Sequence, residues 1–158
     1  MDKKQLHAYI AGIVDGEAYV GIKKSTWGMR NRSDVNCPTY SERVQIRMAC
    51  RPILELIKAE FGGSLGTEPA VYQSVTGFTS RKIMSCYRAT DKVAASLIKA
   101  TRKYLIEKAV QADCVLALRK NKETKAARRR GSPAKRLMKE SVLAEREVLW
   151  QRCKDCHK

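Results

Sequence analysis

The chain has 158 residues, enough for one domain with a buried core or for one domain and a tail. Its 32 Lys and Arg against 16 Asp and Glu leave a net charge of +16, which points to a polyanionic partner, most simply a nucleic-acid backbone. No apolar run approaches the roughly 18 residues of a membrane-spanning helix. The start, Asp2-Lys3-Lys4, leads into an interrupted helix and not into a signal-peptide pattern. An intracellular, reducing compartment follows as the expectation, with the six cysteines as free thiols.

In chain order the pattern predicts α-β-β-α-β-β-α, an α+β class with a curved antiparallel sheet and helices on one face. The first helix covers about Lys3 to Asp15. Its small residues Ala8, Gly12 and Gly16 recur every four positions and so form one stripe, which permits close approach of a second helix. Gly16 is expected to end the helix in the left-handed conformation. Alternation in Ala18 to Lys24 puts Val20 and Ile22 on one face and Tyr19, Gly21 and Lys23 on the other. Residues Trp27 to Pro38 read as a hairpin tip, and Tyr40 to Ala49 as a second strand with Val44, Ile46 and Met48 opposite Arg43, Gln45 and Arg47.

Pro52 to Phe61 is predicted as a short helix stopped by Gly62-Gly63. A third strand from Ser64, a loose hairpin to Ser80 and a fourth strand over Arg81 to Ala89 follow. Helices are expected over Val93 to Lys103 and Glu107 to Arg119. Beyond them, Arg119 to Glu140 holds ten Lys or Arg and two acids, broken at Arg128-Arg129-Arg130-Gly131-Ser132-Pro133. This break is either a loop lying on phosphates or a solvated linker. Helical spacing resumes over Leu137 to Trp150. The organisation expected is a core at 1–118 and, at 119–158, a basic loop and a helical extension packing on that core. The ending Cys153-Lys154-Asp155-Cys156-His157 has the spelling of a haem attachment site, but it lacks an export signal and the second half of a closed zinc site. It reads as an incidental polar tail, with no haem.

The alternation carries a chemical expectation. A strand face bearing Lys23, Arg43, Gln45 and Arg47 can enter the major groove, where Arg pairs with guanine and Gln with adenine. Basic hairpin tips at Lys24, Ser25, Arg30 and Arg32, and at Arg81 and Lys82, would reach phosphates, with Arg88 on the fourth strand. A merely solvated face is the plainer alternative for any one strand.

Ile10-Ala11-Gly12-Ile13-Val14-Asp15-Gly16-Glu17-Ala18 resembles the LAGLIDADG motif of homing endonucleases position by position, with Ala18 in place of the usual final glycine. Val44 to Met48, Ile53 to Lys58 and Phe61-Gly62-Gly63 are similar to the family's second strand, second helix and glycine pair. Tyr104 to Ala112 resembles the segment carrying its active-site lysine, and the resemblance places that role on Lys108. The likeness runs from about Leu6 to Leu118. The family often has a polar residue, commonly Gln, where Met48 aligns.

The resemblance implies a single-motif, homodimeric, site-specific double-stranded DNA endonuclease, encoded within an intron or intein. It implies a long pseudo-palindromic target cut across the minor groove to leave short 3′ overhangs. Paired first helices would meet along Ala8, Ala11, Gly12 and Asp15, with Asp15 a helix-end and interface residue. Glu17 from each subunit and the Gly16 carbonyl would hold Mg²⁺, with Mn²⁺ substituting and Ca²⁺ binding without cleavage. Lys108 would offset charge on the phosphate, and Gln45 or Arg51 would order solvent. A non-cleaving nucleic-acid-binding protein on the same scaffold, such as an intron maturase or a regulator, is the alternative.

Overall fold

The computed structural model describes residues 2–25, 38–68, 72–73, 79–80, 83–126 and 140–156. Helix α1 spans Lys3–Glu17 and starts in a capping box, where the Asp2 carboxylate accepts from Gln5 N at 2.8 Å and Gln5 Oε1 accepts from Asp2 N at 3.0 Å. β1 (Ala18–Ser25) and β2 (Thr39–Met48) follow, then α2 (Arg51–Phe61), β3 (Ser64–Glu68), the short pair β4 (Tyr72–Gln73) and β5 (Thr79–Ser80), and β6 (Met84–Thr90). The chain continues through α3 (Asp91–Thr101), a 3₁₀ turn (Arg102–Tyr104), α4 (Ala109–Ala126) and α5 (Glu140–Asp155). This is the α+β order expected, with β4 and β5 in the stretch read as a loose hairpin to Ser80 and α5 where helical spacing was expected to resume.

The main sheet is antiparallel in the order β1-β2-β6-β3. Its register pairs Val20 with Val44 and Val44 with Ala89, so the predicted apolar positions fall together on one face. Val20, Val44, Ile46 and Tyr87 are fully buried there, under Ile10 and Val14 of α1, Leu97 and Ile98 of α3, and Val115 and Leu118 of α4. The turn after α2 depends on glycine. Gly62 and Gly63 have φ of 81° and 96°, and a Cβ on Gly63 would lie 2.9 Å from the Arg88 carbonyl.

Two sequence expectations change, at Gly16 and at Cys153. Helix α1 runs through Gly16 to Glu17, with Ala18 as its extended C-cap at φ −89°, so Gly16 has no left-handed role. Ala18 is nearly buried at the start of β1, and its backbone does not call for the glycine of the usual motif. Cys153 is a core residue of α5, its thiol 4.0 Å from the Val20 carbonyl, and not part of a polar tail.

Helix α4 runs on through residues 118 and 119 to Ala126, and its Arg119 and Lys122 turn inward. Glu42, fully buried on the helix side of β2, meets Lys122 at 2.5 Å and Arg119 at 3.1 Å. Both cations also approach Asp91, at 2.9 and 3.9 Å. Asp91 opens α3 with a left-handed φ of 51°. Helix α5 packs on α4 and β1 and is fastened by Glu147, which accepts from Lys24 Nζ at 2.7 Å and from the Tyr40 hydroxyl.

Two stability measurements follow. Glu42→Ala leaves two cations facing a buried gap and should cost about 3–5 kcal/mol in urea unfolding. The Lys24 and Tyr40 hydrogen bonds hold Glu147 below its ordinary value of 4.5. A carboxylate held low stabilises the fold above its unfolded pKa, and that contribution is lost as pH falls through the folded one. Glu147→Gln should therefore melt below the parent protein at neutral pH, and the gap should close well under pH 4.5.

Candidate functional site

The end of α1 gathers the chemistry. Glu17 and Gly16 are exposed at the last turn. Asp15, two residues earlier, turns its carboxylate to the segment preceding α4. It accepts from the main-chain N–H of Ile106 at 2.7 Å, Lys108 at 3.0 Å and Glu107 at 3.3 Å. The Lys108 ammonium returns along α1 and donates to the Asp15 carbonyl. Burial alone would raise the Asp15 carboxyl, but these amides and the nearby Lys108 charge hold it below its ordinary 3.8.

The exchange is reciprocal in helix terms. The last carbonyls of a helix lack intrahelical donors and carry partial negative charge. No basic residue lies in the last turn of α1, and Lys108 supplies the missing cation from a distance. The Asp15 carboxylate in turn sits at the amino-terminal side of α4, where negative charge is favoured. Asp15 thus holds two segments of its own chain together, a role that the helix-end and interface expectation did not include. A second correction concerns Ala11, placed at a subunit interface from the sequence. It is fully buried in the chain's own core beside Ile10 and Val14. Gly12 and Gly16 do face outward, with nothing within 4 Å of a Cβ built on either, and Ala8 is half-buried.

The outer sheet face holds the other predicted residues. Tyr19, Gln45, Arg88 and Ser64 form one row across four strands, with Arg47 and Cys86 in the next and Lys23 opposite Ser41. Lys23, Arg47 and Arg88 are exposed. Arg43 donates to Gln45 Oε1 at 2.6 Å, and Gln45 Nε2 lies 3.4 Å from the buried Cys86 thiol. The Gln45 amide is therefore oriented, with its oxygen toward Arg43. Tyr19 lies across Gly21, where a Cβ would fall 2.5 Å from its hydroxyl. A cavity of about 380 Å³ opens beside it, bounded by Lys23, Arg43, Gln45 and Trp150.

Other expected residues have different partners. Lys24 pairs with Glu147 and lies 4.8 Å from the Trp150 ring centre, which makes it an anchor for α5. Arg51, at the start of α2, binds Glu55 at 2.7 Å and Thr67 at 3.0 Å. Met48 packs against the core on the same face as Val44 and Ile46, where the alternation put it. Ser25 is half-buried at the end of β1, where its carbonyl accepts from Thr39 Oγ1 at 3.2 Å. Arg30, Arg32, Arg81 and Lys82 lie outside the described residues. Sequence reasoning missed the Asp15 linkage, which joins positions more than ninety residues apart. It also assigned nothing to Tyr19, although the strand alternation already put that residue on the outer face.

No family model and no curated protein matches the chain by sequence. Solved structures do match in shape. The homing endonuclease I-CvuI, in complex with its target in the presence of 2 mM Ca, has a TM-score of 0.67 at 18% identity, over 98% of this chain and 83% of that one. The group I intron-encoded homing endonuclease I-CeuI, complexed with DNA, gives 0.65 at 13% identity, over 94% and 66%. The LAGLIDADG homing endonuclease I-SmaMI, bound to cleaved DNA, gives 0.62 at 14% identity, over 90% and 42%. The likeness covers nearly the whole chain and extends to several such enzymes, so the fold of this chain is that of the LAGLIDADG homing endonucleases.

Proposed function

We propose that this chain is a site-specific DNA endonuclease that acts as a homodimer and breaks both strands of a long, nearly palindromic duplex in an Mg²⁺-dependent reaction. The observation that carries the reading is the end of α1. An exposed carboxylate, Glu17, lies on the helical turn to which the Lys108 ammonium is tied. Beside it is an outer sheet face carrying Lys23, Arg43, Arg47 and Arg88. Support comes from I-CvuI, crystallised with its target in Ca, and from I-SmaMI, bound to cleaved DNA.

The donor set fits a hard divalent ion. Glu17 and the Gly16 carbonyl offer oxygen, the ligand type Mg²⁺ takes while keeping several waters. Among the described residues no group of three or more His, Cys, Asp or Glu could hold a metal within one chain. A twin Glu17 from a second copy, with water and phosphate oxygens, completes the set. The open surface at Gly12 and Gly16 permits that approach of two α1 helices. When bound, the ion supplies acidification of a water and stabilisation of the leaving oxygen.

The chain's own groups do the rest. The sheet holds the duplex by its cations, and phosphate contacts set register while side chains in the groove select bases. Gln45, already oriented by Arg43 and Cys86, serves recognition through the face it presents more naturally than it serves solvent ordering. Lys108 places a positive charge next to the reacting phosphate and offsets the charge that builds there. Mn²⁺ should substitute for Mg²⁺, and Ca²⁺ should support binding without cutting.

Glu17→Gln tests the reading on a duplex recovered by binding from a random pool. Cleavage with Mg²⁺ should fall by about 10³-fold while affinity in Ca²⁺ is kept. If the parent protein leaves its best-bound duplex intact in every divalent metal, and Glu17→Gln binds it equally well, the chain binds nucleic acid without cutting it.

A further inference from the structure

We infer that Asp15 is a positioning residue for Lys108, its carboxylate fixing where the lysine ammonium stands relative to Glu17. The inference rests on the endonuclease reading for its consequence and on the geometry for its substance. Three successive amides, at Ile106, Glu107 and Lys108, converge on one carboxylate at 2.7, 3.3 and 3.0 Å. They fix the main chain of Lys108, and the bond from its ammonium to the Asp15 carbonyl fixes the other end of the side chain. One residue thus holds the lysine at its root and at its tip.

The surroundings show how much rests on that contact. Leu105 before the segment is buried and Ala112 after it is buried, but Ile106 is 88% exposed and Glu107 is exposed. The described bonds flanking the segment are Leu105 N to the Arg102 carbonyl and Ala112 N to the Lys108 carbonyl. Neither restrains the amides of 106–108. Without the Asp15 carboxylate these amides would turn to water, and the lysine would lose its fixed stem. Asp15 and Glu17 share one helical turn, so the lysine is referenced to the same rigid element as the carboxylate. A chemical step is sensitive to such placement, since a displacement of about 1 Å can cost about 10²-fold in rate.

The test is a double-mutant cycle with Asp15→Asn, Lys108→Met and the pair. Asn at 15 keeps an acceptor but puts an N–H where the third amide points. Asp15→Asn should lower kcat by about 10²-fold with KM and Ca²⁺-supported DNA affinity unchanged. The same change in the Lys108→Met background should cost nothing further. Equal losses in both backgrounds would show a structural cap and overturn the inference. Asp15→Glu, which keeps the charge but moves it by one methylene, covers the case in which Asp15→Asn folds poorly.

A second readout does not need cleavage. Acylation of the Lys108 amine, followed by mass spectrometry of the digested protein, should proceed faster in Asp15→Asn than in the parent. If the parent cuts no duplex, the endonuclease reading fails on its own, and an unchanged acylation rate separately overturns the positioning of Lys108.

Discussion

Helix α1 and the start of α4 are held by an exchange of charge for main-chain hydrogen bonds. The Asp15 carboxylate answers three amides before α4, and the Lys108 ammonium answers a carbonyl at the end of α1. The lysine satisfies a carbonyl that a helix end leaves unpaired, and the carboxylate lies at the amino-terminal side of α4, where negative charge is favoured. The exchange fixes the direction in which α1 ends, and Glu17 is the exposed last residue of that helix. It also fixes the first sheet strand, because β1 begins at Ala18 with no intervening loop. Carboxylate, lysine and sheet therefore share one rigid origin.

The large positive charge of the chain is not a uniform coat. Arg119 and Lys122 turn inward to Glu42 and Asp91 and bind α4 to the sheet and to the start of α3. Arg102 holds Asp113 at 2.6 Å across the 3₁₀ turn, and Lys24 holds Glu147 at 2.7 Å to seat α5 along β1. Covering β1 in this way also protects an edge strand from pairing with other chains. A different set of cations, Lys23, Arg43, Arg47 and Arg88, stands on the outer face. Net charge points to the class of partner, while the structural cations determine which face remains to meet it.

Much of the fold was legible because strand alternation and turn chemistry are local. Val20, Ile22, Val44 and Ile46 occupy the predicted face, and Gly62-Gly63 ends α2 with the positive φ that glycine allows. Non-local choices were not legible. Gly16 has open space but continues the helix, since the α1 end is set by Asp15 and Lys108 and not by a glycine turn. Ala11 belongs to the buried stripe of Ile10, Val14 and Ala18, although its size alone suited an interface. Cys153 is buried because α5 lies against β1, and no local pattern announces that. Of the candidate site, the motif helix and outer face could be read from sequence, while the linkage between residue 15 and residues 106–108 could not.

The proposed homodimer needs a second α1 packed on the first along the face where Gly12 and Gly16 leave room, with Tyr9 beside them 44% exposed. The most direct measurement is cross-linking of Gly12→Cys in solution. A disulfide needs Cα atoms about 4.4–6.8 Å apart, a separation that two helices reach only where small residues face each other. Mild oxidation should give a disulfide-linked dimer for Gly12→Cys and none for the parent protein, whose exposed Cys50 and Cys156 serve as internal controls. A Gly12→Cys protein that stays monomeric, with its new thiol freely alkylated, would contradict the paired-helix site.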